Sequence, residues 1–120
     1  MSYWVYLENK KGESVRVSRF TDGGTCAIGG SCEAELNITY NYCQYYYPFL
    51  KGYLGKKEGL KWLHGKKAKR TIRKLKKAVS VLGIKQDNDY WKSTTGNAGY
   101  ALSVLLKWAK QHPKAKWRIS

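Results

Sequence analysis

Three short segments hold polar and aromatic groups that packing alone does not demand. The first is Asn37-Ile38-Thr39-Tyr40-Asn41-Tyr42, in which amides, a hydroxyl and flat phenol rings stand close enough to read and stack on a base. Thr39 capping a helix, with the tyrosines in the core, uses the same residues as well. The second is Leu63-His64-Gly65-Lys66. An imidazole there can donate to a phosphate or carry a proton near neutral pH, and an ammonium two residues on adds charge; a hydrogen-bonded structural His is the plainer use. The third is Ser93-Thr94-Thr95-Gly96-Asn97-Ala98-Gly99, running into a helical pattern. Free N–H groups at a helix start favour anions, and the hydroxyls of Thr94 and Thr95 beside two glycines resemble a phosphate cradle in their physics. The Lys-Ser or Lys-Thr pair of a phosphate-binding P-loop is missing, and simple capping explains the same string.

Nucleotide recognition needs anion donors, a cationic surround, aromatic faces and amide readers, and the three segments together supply all four. Stacking contributes about 1–3 kcal/mol per base. Tyr90 and Trp91, beside Asp87 and Asp89, suit one wall of such a pocket or the anchoring of a loop. The candidate ligand-binding residues are therefore Asn37, Thr39, Tyr40, Asn41, His64, Lys66, Thr94, Thr95 and Asn97. Catalytic motifs are not found: there is no Gly-x-Ser-x-Gly, His-Glu-x-x-His or Cys-x-x-Cys, and the carboxylates are scattered. A binding protein without turnover, cofactor or metal is expected.

Charge supplies the surround. The chain has 23 Lys and Arg against 8 Asp and Glu, a net +15. It is lopsided: residues 1–50 carry a net −1 and residues 51–120 a net +16. Such a balance favours nucleic acid, nucleotides or anionic surfaces as partners, although a lysine-rich face also serves solubility. The densest run is 66–77, where Lys66, Lys67, Lys69, Arg70, Arg73, Lys74, Lys76 and Lys77 surround an apolar stripe of Ile72, Leu75, Val79 and Leu82. Eight cations on one helix without a carboxylate repel one another, and phosphates would relieve them. Lys69, Arg70, Arg73, Lys74 and Lys77 are the candidate basic surface.

The elements that must position these groups follow from periodicity. Residues 3–8 are β-branched and aromatic and read as a strand; Lys10-Lys11-Gly12 turns, and Val15, Val17 and Phe20 suggest a second strand paired with the first as a hairpin. Thr25–Ile28, between glycine pairs, suits a third. Tyr42, Tyr46, Phe49, Leu50 and Tyr53 lie on one helical face capped by Thr39 or Asn37 and ended or kinked at Pro48, with a strand over 36–43 as the rival. A helix over 66–82 stops at Gly83, and a last one starts at Asn97 and ends before Pro113. The small residues Ala98, Gly99 and Ala101 would let another backbone approach, including that of a second copy. The expectation is one α+β domain over 1–120, mainly β to residue 35 and mainly α from 36, with an N-terminal antiparallel hairpin or three-stranded sheet on about three helices.

No apolar run reaches the roughly 20 residues that span a bilayer. The N-terminus lacks a secretory pattern, and Cys26, Cys32 and Cys43 are odd in number and unpaired in spacing, as expected of reduced thiols in a cytoplasm. The Asn37-Ile38-Thr39 sequon is then a coincidence.

From about residue 23 to 120 the sequence resembles a family of small proteins from tailed phages and prophages. The resemblance rests on Gly23-Gly24-Thr25, residues Ala34 to Tyr42, Leu63-His64-Gly65-Lys66, Thr71-Ile72, Asp89-Tyr90-Trp91, Thr95 to Leu102, and Trp108 to Pro113. It implies a phage origin and a role in the host cytoplasm during infection. Small phage proteins without enzyme motifs are often counter-defence factors, so the expected function is sequestration of an anionic, cyclic nucleotide immune signal. The alternative is a basic nucleic-acid binder, including one that blocks a nucleic-acid-guided nuclease (an anti-CRISPR role).

Overall fold

A computed structural model describes residues 2–20, 31–52, 58–89 and 91–120. Its centre is strand β1 (Ser2–Glu8), whose side chains alternate: Val5 and Leu7 are fully buried, while Trp4 and Tyr6 are part-exposed. The rest of the order is β2 (Arg16–Phe20), β3 (Ser31–Glu33), β4 (Glu35–Thr39), helix α1 (Cys43–Tyr46), α2 (Ile72–Leu82), α3 (Thr95–Gln111) and β5 (Lys116–Ile119). An antiparallel sheet in the order β4-β1-β5 lies against these helices, and β2 and β3 form a two-stranded sheet. The α+β expectation is met.

The hairpin expected between the first two strands closes and then parts. Asn9 accepts from Lys11 N and Glu13 N through its side chain, Gly12 takes φ 79°, and Glu8 bridges Ser14. Beyond that bridge β1 has no free edge: β4 pairs with Ser2–Tyr6 on one side and β5 with Val5–Glu8 on the other. Strand β2 therefore turns to β3, in register Arg16↔Glu33. The strand expected at 25–28 lies outside the described residues. The sheet is not confined to the first 35 residues, since β4 runs to Thr39 and β5 closes the far edge.

Thr39 resolves the rivalry over 36–43 by doing both jobs. It ends β4, and its hydroxyl accepts from Asn41 N at 3.2 Å to cap a 3₁₀ turn (Tyr40–Tyr42) that leads into α1. Buried Tyr42 and Tyr46 reach the core, and Tyr46 Oη donates to Ala98 O at 2.9 Å.

The helix expected from residue 66 begins only at Ile72. Segment 65–68 is drawn to β5 instead: Gly65 N donates to Trp117 O, Trp117 N to Lys66 O, and Ala68 N to Ala115 O. Buried Thr71 then accepts from the Trp117 indole at 3.0 Å and donates to Ala68 O at 2.7 Å, holding the turn into α2. Of the eight cations expected on one helix, only Arg73, Lys74, Lys76 and Lys77 lie on α2. Its stop at Gly83 (φ 78°) is as expected.

Helix α3 is capped by Thr94 and packs closely on the chain that follows α2. A Cβ on Gly96 would stand 1.7 Å from Lys85 O, and one on Gly99 would stand 1.7 Å from Gly83 O. Ala98, Gly99 and Ala101 are buried there. The approaching backbone is the chain's own, which corrects the reading of this face as a contact for a second copy.

Candidate functional site

The structure brings the first and third polar segments together and keeps the second apart. Asn41 Nδ2 donates to Trp91 O at 2.8 Å, Ser93 Oγ to Asn41 O at 2.8 Å, and Tyr45 Oη to Ser93 O at 3.1 Å. His64 and Lys66 stand instead beside β5, where His64 Nδ1 accepts from Ile119 N at 3.1 Å. That bond gives the ring a place at the sheet edge.

Most of the polar candidates are occupied by the fold. Asn37, 7% exposed, donates to Ser2 Oγ at 2.7 Å and Tyr3 O at 3.3 Å. Asn97 is fully buried; it accepts from Asp87 N at 2.9 Å and donates to Asp89 O at 3.0 Å and Lys92 O at 2.9 Å. Thr94 Oγ1 accepts from Asn97 N at 3.1 Å. A hollow of about 320 Å³ adjoins this helix start, with Thr94, Thr95, Lys85 and Asp87 on its wall. Lys85 and Asp87, of opposite charge, both line it; the Lys85 carbonyl packs on Gly96, and the Asp87 carboxylate accepts from Asp89 N at 2.9 Å. Thr95 and Asn41 remain exposed, as does Tyr40, whose ring tilts against Tyr3 at 4.5 Å. Burial raises the Tyr3 hydroxyl above its ordinary range, reinforced by Cys43, Tyr40 and Tyr47, and burial likewise pushes the Cys43 thiol up.

Cations converge elsewhere. Pro48 ends the α1 turn and presents Phe49 and Lys51 opposite Arg73, Lys74 and Lys77 of α2, enclosing an open groove of about 370 Å³. Lys74 Nζ reaches across to donate to Lys51 O at 2.6 Å. Lys74 Nζ and Lys66 Nζ each stand 4.6 Å from the centre of the Trp62 ring, and Lys66 Nζ also donates to Trp62 O at 2.5 Å. The π face offsets part of the repulsion between neighbouring ammonium groups. The Glu58 carboxylate is set against Gly52, the residue after Lys51. Lys69 and Arg70 are exposed on the 3₁₀ turn that leads into α2. Sequence reasoning named Arg73, Lys74 and Lys77 but missed Lys51, Phe49 and Trp62. The signal available was a proline-ended turn with a lysine three residues on, Pro48-Phe49-Leu50-Lys51. What faces it is set by tertiary packing.

No family model, curated protein or solved structure matches the chain. Among the described residues no group of three or more His, Cys, Asp or Glu is placed to hold a metal, and no helix is long and apolar enough to cross a membrane.

Proposed function

We propose that the protein binds the phosphate backbone of a nucleic acid, without turnover, along the groove between the Pro48 turn and α2. The observation that carries this is the convergence of Lys51 with Arg73, Lys74 and Lys77 from two separate chain segments on one open groove. Open, cationic and aromatic-flanked, it suits a chain of phosphates more than an enclosed pocket that reads one base. A small cyclic nucleotide would want the amides of Asn37 and Asn97, and these serve the fold. The resemblance to tailed-phage proteins would set this binding in an infected host cell, as a counter-defence factor acting on nucleic acid or on a ribonucleoprotein nuclease.

The test is anisotropy of a labelled duplex as salt is raised, for the natural chain and for Arg73→Gln/Lys77→Gln. Four phosphate contacts give a log–log salt slope of about −3.6, so affinity falls about 150-fold between 50 and 200 mM salt. Removing two contacts halves the slope and reduces the loss to about 12-fold. An unchanged slope in the double variant refutes the groove. Displacement of the duplex by low-micromolar cyclic di- or trinucleotide returns the site to the small-ligand reading.

A further inference from the structure

The side of the sheet turned away from the helices carries a second, differently built surface. Directly paired residues of antiparallel strands point to the same face. Trp4 and Tyr6 of β1 therefore share a face with Arg118, the partner of Tyr6, and Lys116, the partner of Glu8. Val5, Leu7 and Trp117 point the other way into the core, a cluster to which neither Trp4 nor Tyr6 belongs.

On that outer face the side chains form a column. The Trp4 and Tyr6 rings lie 6.2 Å apart at an interplanar angle of 23°, and the Arg118 guanidinium carbon sits 3.9 Å from the Tyr6 ring centre. Arg118 Nε donates to Glu8 Oε2 at 2.8 Å, which fixes the guanidinium and holds its pKa above the ordinary value. Lys116 is exposed on the same strand, and Lys114 just before it. An aromatic strand is thus flanked by a cationic one, with ring planes already ordered before any ligand arrives.

We infer that this face is a stacking platform for unpaired bases of a single-stranded nucleic acid, with Trp4 and the Tyr6–Arg118 pair taking the bases and Lys114 and Lys116 the adjoining phosphates. The ligand class rests on the nucleic-acid reading above, but the residues are independent of the α2 groove. Stacking tolerates any base and asks for rings and guanidinium planes, which are present; phosphates ask for the β5 cations. An anionic membrane offers the same charge but no flat bases for the Trp4 ring and the Tyr6–Arg118 pair to stack on.

The experiment is intrinsic tryptophan fluorescence titrated with short oligothymidylate, backed by anisotropy, on the natural chain, Trp4→Phe, Trp4→Leu and Trp91→Phe. Oligothymidylate should quench the natural protein. Trp4→Phe should remove most of the quench while keeping affinity, since a ring remains, and Trp91→Phe should change neither. Trp4→Leu should weaken binding roughly 5- to 150-fold, the effect of losing one stacked base. No binding of oligothymidylate, a quench that survives Trp4→Phe, or a natively folded Trp4→Leu that binds as well as the natural chain each overturns the platform. Should Trp4→Leu fail to fold, the Trp4→Phe quench still decides. Binding to phosphatidylserine vesicles in place of oligothymidylate overturns it as well. Arg73→Gln/Lys77→Gln separates the two readings: if it leaves the duplex salt slope unchanged while the Trp4 quench persists, the groove fails and the platform stands.

Discussion

Replacing Asn97 by Ala should destabilise the protein without removing a ligand contact. Its side chain is fully buried at the start of α3 and ties down the loop before the helix, through Asp87 N, Asp89 O and Lys92 O. A net contribution of about 0.5–1.5 kcal/mol per hydrogen bond puts the gross loss at about 1.5–4.5 kcal/mol. Asp87 and Lys92 are exposed residues, so part of the freed backbone can turn to water, and the expected loss is about 2–3 kcal/mol. For a chain of this size the unfolding entropy is about 0.25 kcal/mol per kelvin, which converts that loss to a fall of about 8–12 °C in Tm. Asn97→Asp should fare no better, because its second oxygen would face the carbonyls that the amide now satisfies. The assay is urea denaturation with thermal melting, alongside duplex binding at a temperature where both variants are folded. Binding should stay at the natural level. A loss of stability below about 1 kcal/mol together with abolished binding would refute this reasoning and make Asn97 a ligand-reading residue.

Gly99→Ala should cost about 3 kcal/mol or more, because the new methyl would meet the Gly83 carbonyl at 1.7 Å and two backbones would have to part. Gly12→Ala is the control: its φ is 79° with nothing within 4 Å, so only backbone strain of about 1 kcal/mol is expected, and denaturation midpoints that rank the two alike would refute the close-approach argument. Cys43, its thiol pushed up by burial, should alkylate with iodoacetamide at about pH 8 more slowly in the native protein than in urea, since the thiolate is the nucleophile. Peptide mass spectrometry reads the rate, and equal rates in both states would refute it.

What the sequence shows of this fold is decided by how local each signal is. Helix α3 was legible from the apolar stripe and Pro113, although Thr94 caps it so that it starts at Thr95 and not at the expected Asn97, and the α2 stop was legible because Gly83 adopts the positive φ its position suggests. Strand β5 was not. Lys116-Trp117-Arg118-Ile119 is four residues with two cations, and only its pairing with Val5–Glu8 of β1 makes a strand of it. The same strand takes Gly65–Ala68 out of the helix that good helix formers had suggested, so propensity lost to pairing. The polar segments were read correctly as polar. Which groups they meet was out of reach, because Asn41 and Ser93 are joined across 52 positions and Lys74 meets the Lys51 carbonyl across 23.

Those long-range contacts also bear on what the charge is for. Among the described residues no buried side-chain nitrogen or oxygen lacks a partner. The unmet electrostatics are outside, in the net +16 of residues 51–120. Charge kept only for solubility gains from dispersal, since crowding raises self-repulsion. Here Lys51 is brought against α2 by the Pro48 turn, and that turn follows an α1 pinned to α3 by the buried Tyr46–Ala98 bond. Lys66 and Lys74 are further brought to one tryptophan ring. Core packing thus holds like charges together along this groove. The proposed polyanion would offset that repulsion, and the cations it would meet are already gathered on one surface.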